Sequence, residues 1–447
     1  MHTVEQLKRG ELTGITRLDL SEELDTFPRE IFDLADSLEV LNLSGNRLST
    51  LPDDLPRLHR LRILFCSDNA FTAVPTVLGR CTQLEMVGFK ANRIRTLPAE
   101  ALPLRLRWLI LTDNQLEALP GQIGQCEHLQ KLMLAGNRLR GLPESLAGCR
   151  RLELLRIAAN QLSALPAWLL HMPRLTWLAF AGNPFSDRME GEILAQHPLP
   201  PIDRAQVSLG GVLGQGASGI VHRAEWQRPG SSGQAMAAKL FKGSLTSDGL
   251  PHSEMAACIA AGEHPNLIAV AGPLAERTDA LPGLLMALID PSYQVLAGPP
   301  SLVSCTRDCY APAQRFSIDQ LLRIATGAAS AASHLHALGI LHGDLYAHNL
   351  LVDSRGQTLL SDFGAASFFD PDTPEGQALQ RLETRAFGCL LEELLARRDA
   401  RGQADCLASL ETLQRQCMQE DPSQRPSFTQ LVERLEELTE RFGRVVA

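Results

Sequence analysis

The first half of the chain repeats a short pattern of apolar and polar positions every 22 or 23 residues. In each copy, alternating apolar residues such as Leu41 and Leu43 precede an asparagine, and in most copies a proline follows six residues after it. This alternation predicts a short strand with one buried face. The asparagines that mark the copies are Asn46, Asn69, Asn92, Asn114, Asn137, Asn160 and Asn183. A unit this short cannot bury its apolar face alone, so the period predicts a stacked solenoid.

The pattern resembles the leucine-rich repeat, and the resemblance covers residues 15–182. It implies a curved α/β solenoid, and no enzyme activity follows from it. We expect a repeat domain over residues 1–185, with about seven 23-residue repeats. A cap and linker should follow over residues 186–205, where Pro198, Pro200 and Pro201 break regular structure.

Two columns of strand residues alternate with the leucines and are expected to face solvent on the concave side. The apolar members of these columns that we single out are Phe65, Trp108, Met133 and Trp177. An exposed apolar groove usually marks an interaction site, so we expect a protein substrate or regulator to bind there. The alternative is that the second half of the chain covers the groove, because tethered domains often dock on each other.

A glycine-rich loop between two apolar strands opens the second half of the chain. Glycines let backbone N–H groups approach phosphate oxygens. A strand pattern follows the last glycine, whereas dinucleotide-binding folds place a helix there. We expect the residues of this loop that lie near a nucleotide to be Leu213, Gly214, Gly216, Gly219 and Val221. Further on, Lys239 lies inside an apolar strand pattern, where a lysine is costly unless it meets an anion.

Three oxygen-bearing side chains lie close together further along the chain. Asp344 and Asn349 are five residues apart, and Asp362 opens a D-F-G sequence. The apolar runs at 339–341 and 350–352 predict short buried strands that present these groups from a rigid base. One carboxylate can orient a hydroxyl, and the other two groups supply hard oxygen ligands for Mg²⁺. The alternative is a polar turn that joins two core strands.

These residues resemble the catalytic motifs of the protein kinase superfamily. The motifs are His342-Gly343-Asp344, Asn349, Asp362-Phe363-Gly364 and the closing Asp421-Pro422-Ser423-Gln424-Arg425-Pro426-Ser427-Phe428. The resemblance spans residues 206–447 and implies a bilobal α+β protein kinase fold that uses ATP and Mg²⁺. It makes Asp344 a catalytic residue, and Asn349 and Asp362 metal ligands.

The same resemblance assigns roles in the first part of the domain. Lys239 matches the lysine that holds the nucleotide phosphates, and Glu254 on the next predicted helix is its candidate partner. The alternative for Glu254 is a helix acid that faces water, as charged helix residues usually do. Met286 would border the adenine pocket, and Leu288 lies in a stretch that would offer backbone groups to adenine.

The sequence also departs from the family. Gly343 replaces an arginine that normally binds a phosphate on the activation segment, and this segment, from Ala365 to about Glu375, is much shorter than usual. We therefore expect activity that does not require phosphorylation of the segment. Tyr346 replaces a lysine usual in serine/threonine kinases, and Glu383 replaces an aspartate that holds the catalytic loop. Such losses weaken transition-state electrostatics, so turnover could be slow.

Composition narrows the cellular setting. The chain has 447 residues, of which 45% are hydrophobic and 21% charged, as expected of a globular protein with two or three domains. A net charge of −9 argues against nucleic acid or an anionic membrane as the main partner. No apolar run is long enough for a membrane span, and scattered cysteines fit a reduced, cytoplasmic location.

The sequence as a whole is most similar to a soluble leucine-rich repeat–kinase fusion of bacterial type. We predict an ATP-dependent protein kinase, of serine/threonine rather than tyrosine type, whose repeats recruit substrate or regulator. The alternative is a pseudokinase scaffold, in which an inactive, nucleotide-binding kinase fold gates the repeat surface. A pseudokinase usually lacks at least one of five residues that are all present here: Lys239, Glu254, Asp344, Asn349 and Asp362.

Overall fold

The computed structural model describes residues 2–442 except 197, 217, 229, 231, 277–279 and 400–403. It divides into two compact units, Met1–Leu175 and Thr176–Ala447. The last copy of the repeat pattern, around Asn183, therefore lies in the second unit. The domain limits at residues 185 and 205 stay predictions, because a division into compact units does not by itself define domains.

The first unit is built from one short parallel strand per repeat. After helix α1 (Val4–Lys8), the strands among residues 2–175 are β1 Arg17–Asp19, β2 Val40–Asn42, β3 Ile63–Phe65, β4 Met86–Gly88, β5 Trp108–Ile110, β6 Lys131–Met133 and β7 Leu154–Arg156. Neighbouring strands pair Leu18 with Leu41 and Leu41 with Leu64, and all three side chains are fully buried. The central leucines of the strands therefore form one continuous core column, as the period predicts.

Short 3₁₀ helices return the chain on the opposite side of each repeat. They span Arg29–Leu34, Leu55–Arg57, Thr76–Arg80, Ala99–Ala101, Gly121–Gln125, Glu144–Gly148 and Ala167–His171. Most begin directly after the repeat proline, for example after Pro120 and Pro143. The proline is the extended residue that precedes the helix, and its ring fixes φ at this position.

The repeat asparagines satisfy buried backbone groups. The amide nitrogen of Asn137 donates to the carbonyl oxygens of Leu111 at 2.8 Å and Leu134 at 2.9 Å. Its amide oxygen accepts from the backbone N–H of Leu116 at 2.9 Å. These groups lie where the chain leaves the strand, so they would otherwise be buried without partners.

The second unit begins with strand β8 (Trp177–Ala179) and helix α2 (Pro184–Gln196). Its described residues include a five-stranded antiparallel sheet in the order β12-β13-β11-β10-β9, with the strands β9 Val207–Gln215, β10 Gly219–Trp226, β11 Gln234–Phe241, β12 Val270–Pro273 and β13 Gly283–Ala287. Helix α3 (Pro251–Ala260) lies between β11 and β12 in the chain. Met236, Ala238 and Leu285 are among the core residues of this lobe.

The remainder of the second unit is mostly helical. Its elements are β14 Gln294–Val295, α4 Ile318–Ala337, β15 Ile340–Leu341, β16 Leu350–Val352, β17 Thr358–Leu360, β18 Ser367–Phe368, α5 Pro374–Leu395, α6 Ala404–Cys417 and α7 Phe428–Phe442. Helix α4 begins at a capping box, in which Ser317 and Gln320 exchange side chain–backbone hydrogen bonds. The predicted architecture, a repeat solenoid followed by a two-lobed α+β unit, is confirmed.

Candidate active site

The loop between β15 and β16 brings Asp344 and Asn349 into direct contact. The amide nitrogen of Asn349 donates to the Asp344 carboxylate at 2.8 Å and to its backbone carbonyl at 2.9 Å. Asn349 is buried, whereas the Asp344 side chain keeps 17% of its surface exposed. Because the nitrogen faces Asp344, the amide oxygen of Asn349 points away from it. The pair thus offers one carboxylate and one separate oxygen donor.

Glu383 on α5 holds the same loop from its N-terminal side. Its carboxylate accepts the backbone N–H groups of Gly343 at 2.6 Å and His342 at 3.2 Å, and it lies 2.7 Å from the ring of His336. Burial alone would raise the pKa of Glu383, but the contacts with His336, His342 and Gly343 lower it overall. A glutamate therefore performs the loop-holding contact that the sequence resemblance assigned to this position.

Asp362 is exposed while the phenylalanine next to it is buried. The ring of Phe363 lies 5.2 Å from the ring of His342. This contact anchors the D-F-G sequence to the loop between β15 and β16, residues 342–349, which is the candidate catalytic loop and is called the catalytic loop below. A Cβ built on Gly364 would lie 3.1 Å from Asp362 Oδ1 and 3.8 Å from Glu254 Oε2. The carboxylates of Asp362 and Glu254 therefore converge on one space beside Gly364.

Lys239 on β11 and Glu254 on α3 form a buried ion pair through Nζ and Oε1, with side-chain exposures of 14% and 2%. Burial lowers the pKa of Lys239, but the carboxylates of Glu254 and Asp362 raise it, and the pKa ends above its ordinary value. The ammonium group therefore stays charged at neutral pH. Burial raises the pKa of Glu254, and the attraction to Lys239 only partly offsets this rise.

The glycine-rich loop joins two antiparallel strands, as the sequence predicts. Gly216 N–H donates to the Gly219 carbonyl at 2.9 Å, which closes the turn. A Cβ on Gly219 would lie 2.3 Å from the Leu240 carbonyl oxygen, so only glycine fits there. Val221 pairs directly with Lys239 across the strands. Leu213 and Gly214 are exposed on the preceding strand.

The predicted adenine-side residues lie at one end of the same sheet. Met286 is on β13 and pairs with Ala237 on β11, two residues from Lys239. Leu288 directly follows the end of β13 at Ala287. Both side chains are half-buried. The structure thus places Met286 on the strand next to the one that carries Lys239, and Leu288 directly after the end of that strand.

Residues 291–316, which show no interpretable sequence pattern, lie against the catalytic loop. Asp308 in this segment accepts the backbone N–H of His348 at 3.1 Å and lies 2.7 Å from His348 Nδ1. Glu393 on α5 accepts from the Tyr310 hydroxyl at 3.1 Å. Burial and the charge of Asp308 raise the pKa of Glu393 to about 7, although the hydrogen bond from Tyr310 acts to lower it.

The predicted concave columns are less exposed than the sequence suggested. Phe65, Trp108 and Met133 are half-buried. The indole N–H of Trp108 faces Met133 Sδ at 3.3 Å, and the ammonium of Lys131 lies 4.4 Å above the Trp108 ring. Phe65 covers the backbone of Gly88, where a Cβ would lie 2.7 Å from its ring. These side chains cover one another because neighbouring repeats bring them side by side.

The expectation that Trp177 is exposed is wrong. Its side chain is 1% exposed, and its ring stacks on Tyr346 with centroids 4.0 Å apart and planes 8° apart. Its indole N–H donates to the Leu345 carbonyl at 3.2 Å. Trp177 is thus a neighbour of the catalytic loop rather than part of an open groove.

A side-chain hydrogen bond from α2 also reaches α3, and none of the sequence motifs predicts it. The Ser253 hydroxyl donates to the Glu190 carboxylate on α2 at 2.9 Å, and both side chains are buried. Ser253 directly precedes Glu254, so this hydrogen bond fixes the start of the helix that carries the ion pair. The sequence carries no signal for this contact, because nothing distinguishes Glu190 from the other acidic residues of α2.

The antiparallel sheet with its glycine hairpin, the buried lysine–glutamate pair and the loop that presents Asp344 are the features that the kinase motifs of the sequence predict. Residues 207–384 match the family model described as protein tyrosine and serine/threonine kinase. Residues 37–58, 104–162 and 127–185 match leucine-rich repeat models. The chain therefore combines leucine-rich repeats with a protein kinase domain, as the motifs predicted.

Curated kinases of different kinds are similar to this chain. CBL-interacting protein kinase 22 of Oryza sativa subsp. japonica is 31% identical over 186 residues, which cover 38% of this chain and 38% of that protein. Ephrin type-B receptor 4 of Homo sapiens is 24% identical over 287 residues, which cover 53% of this chain and 27% of that protein. Tyrosine-protein kinase transforming protein RYK of Avian retrovirus RPL30 is 27% identical over 286 residues, which cover 54% of this chain and 63% of that protein. The chain spans less than two thirds of each relative.

Within the described part of the chain, none of the helices has both the length and the apolarity needed to cross a bilayer.

Proposed function

We propose that the protein is an ATP-dependent protein kinase that transfers the γ-phosphate to a serine or threonine hydroxyl of a protein. The observation that carries this proposal is the contact of 2.8 Å between Asn349 and Asp344, which leaves the Asp344 carboxylate partly exposed. A carboxylate held in this way can accept the proton of an incoming hydroxyl and orient its oxygen.

Each of the other site residues has a role in this proposal. The charged Lys239 ammonium, held by Glu254, neutralises nucleotide phosphates. Leu213, Gly214, Gly216, Gly219 and Val221 would enclose the nucleotide from the glycine hairpin, and Met286 and Leu288 would line its base. The domain would extend from residue 206 to residue 447.

The donor set fits Mg²⁺. The Asn349 amide oxygen, which points away from Asp344, and the exposed Asp362 carboxylate are hard oxygen ligands of the kind that Mg²⁺ prefers. These two residues would hold the ion together with ATP phosphates. Mg²⁺ supplies neutralisation of the phosphate charge, while Asp344 handles the proton of the acceptor.

The repeats would recruit a protein substrate or regulator. Phe65, Trp108 and Met133 are half-buried residues of the concave strands and remain candidates for this contact. Solenoid surfaces of this type are extended and suit protein partners. The net charge of −9 supports neither nucleic acid nor an anionic membrane as the partner, and a cytoplasmic location fits this proposal.

One observation favours the alternative of a nucleotide-binding pseudokinase scaffold. Tyr346, at the position of a lysine in serine/threonine kinases, is buried beneath Trp177 and brings no positive charge to the acceptor site. A fold that binds MgATP without transferring phosphate would then gate the repeat surface.

Transfer of labelled phosphate separates the two functions. The full-length protein is incubated with Mg²⁺ and ATP labelled on the γ-phosphate, beside Asp344→Asn, which keeps the shape of the side chain. A kinase labels itself or an added protein, Asp344→Asn does not, and labelled phosphoserine or phosphothreonine identifies the acceptor. Binding of MgATP without transfer by the wild type would favour the scaffold, and labelled phosphotyrosine alone would overturn the serine/threonine assignment.

A further inference from the structure

We infer that Trp177 is a positioning residue for the catalytic loop, and that residues 177–181 hold this loop and the segment after the D-F-G sequence in their working geometry. This inference rests on the proposed kinase function. It assigns a role in catalysis to a residue that belongs to the repeat pattern and to no kinase motif.

Trp177 fixes the two residues that directly follow the catalytic aspartate. Its indole N–H donates to the carbonyl oxygen of Leu345 at 3.2 Å, and its ring stacks on Tyr346 with centroids 4.0 Å apart. Trp177 is 1% exposed and Tyr346 is 5% exposed, so water does not compete for these contacts. One side chain therefore restrains both the backbone and a side chain beside Asp344.

The loop is restrained on the other side of Asp344 as well. Glu383 on α5 accepts the backbone N–H groups of His342 and Gly343. Asp344 thus lies between a pair of residues held by Glu383 and a pair held by Trp177. A loss of either restraint would widen the range of positions that the carboxylate samples, and small misplacements of a catalytic group slow a reaction strongly.

Gly343 allows strand β8 to approach the loop closely. Its φ is +72°, and an added Cβ would lie 2.6 Å from the Leu178 carbonyl oxygen and 2.5 Å from that of Ala365. Any larger side chain at Gly343 would push the strand away. The close packing of strand β8 against the loop therefore excludes the arginine that kinases usually carry at this position.

Residues 177–181 also form hydrogen bonds with the segment after the D-F-G sequence. The Ser367 hydroxyl oxygen accepts the backbone N–H groups of Phe180 at 2.9 Å and Ala181 at 3.2 Å. Ser367 is fully buried and pairs with Leu341 at the entry to the catalytic loop. These contacts are part of the fold and need no added phosphate, so the repeat strand can order the segment permanently.

Steady-state kinetics in the full-length protein test this inference. Trp177→Phe keeps a stacking ring but loses the hydrogen bond to Leu345, and Trp177→Ala loses both contacts. We expect kcat to fall by about 10- to 100-fold in Trp177→Ala and by less in Trp177→Phe, while KM for ATP changes by less than about twofold. Trp168→Ala, on the 3₁₀ helix Ala167–His171 of the preceding repeat, is the control and should keep kcat.

A rise of kcat in either Trp177 variant would show that the indole obstructs the acceptor, and it would overturn the inference. The same conclusion follows if kcat per folded molecule is unchanged and only the melting temperature falls. If Trp177→Ala does not fold, the result for Trp177→Phe decides.

Hydrogen exchange provides a readout that does not depend on activity. Peptides covering residues 341–352 should exchange faster in Trp177→Phe than in the wild type, and should be unchanged in Trp168→Ala. Equal protection in Trp177→Phe and the wild type would overturn the inference. A wild type without phosphate transfer would contradict the proposed function, whereas the exchange comparison would still decide whether Trp177 orders the loop.

Discussion

The Nδ1 atom of His348 lies 2.7 Å from Oδ1 of Asp308, whose side chain has no exposed surface. His348 belongs to the catalytic loop, four residues after Asp344, and its Nε2 lies 4.0 Å from an Asp344 carboxylate oxygen. The irregular segment 291–316 is therefore tied to the loop that presents the proposed catalytic group. Asp308 and Asp344 approach opposite nitrogens of one imidazole ring.

This relationship predicts a pH-dependent contribution of His348 to stability. Burial lowers the pKa of His348, but Asp308, Asp344 and Asp362 raise it above its ordinary value of 6.5. A raised pKa means that the folded protein binds the proton more tightly than the unfolded chain. The stabilisation that protonated His348 contributes is fully present below pH 6.5, and it is lost as the pH rises through the raised pKa of the folded state.

We therefore expect His348→Gln to lose more stability, relative to the wild type, at about pH 6 than at about pH 9. Thermal unfolding of both proteins across this range measures the difference. An equal loss at all pH values would show that His348 is not charged in the folded protein.

A second prediction concerns the amide of Asn349. Asn349→Asp would place a carboxylate 2.8 Å from that of Asp344, where the amide nitrogen now donates. Like charges at this distance raise the pKa of the pair, so a proton would be shared at neutral pH. We expect kcat to fall by about 100-fold, with partial recovery as pH rises. The pH dependence of kcat tests this, and a profile identical to that of the wild type would contradict it.

A third prediction concerns the buried ion pair. Loss of the Glu254 carboxylate would lower the pKa of Lys239, because it removes one of the two carboxylates that oppose the effect of burial. Glu254→Gln should therefore weaken MgATP binding by about tenfold, or 1.4 kcal/mol. Glu263→Gln, the same chemical change at an exposed position shortly after α3, is the control. Calorimetric titration with MgATP measures the affinity of both variants and of the wild type. If Glu254→Gln binds MgATP as tightly as the wild type, the assigned role of Glu254 is excluded.

A fourth prediction concerns Thr373. Its hydroxyl oxygen accepts the backbone N–H of Gly376 at 3.1 Å and caps α5. Thr373→Ala should cost about 1 kcal/mol of folding free energy, whereas Thr373→Ser should cost less because it keeps the cap. Both variants should retain kcat, since activity is expected without phosphorylation of this segment. A large loss of kcat in folded Thr373→Ala would instead indicate a regulatory threonine.

The repeat fold and the ion pair could be predicted from the sequence. The repeats follow from a regular spacing of residues, and the ion pair follows from motifs that can be recognised separately. The spacing of asparagines such as Asn137 encodes the solenoid directly, because each asparagine bonds to the strand end of its own repeat and of the preceding one. Lys239 and Glu254 are recognisable because a lysine inside an apolar strand needs a nearby anion.

The burial of Trp177 could not be predicted in the same way. Its hydrogen-bond partner, Leu345, lies 168 residues further along the chain, and the repeat period alone places Trp177 on an exposed column. Asp308 was missed because its segment has no periodicity, so no local pattern links it to His348. Contacts between distant segments depend on how the elements pack, which a local pattern does not encode.

The most direct test of the account is the rate of γ-phosphate transfer at saturating MgATP, measured for the wild type and Asp344→Asn after both are shown to bind MgATP equally. We expect the wild type to transfer phosphate to protein hydroxyls, and Asp344→Asn to be at least about 100-fold slower, since it keeps the site but loses the base. Equal rates in the two proteins, or no transfer by a wild type that binds MgATP, would contradict the proposed kinase activity.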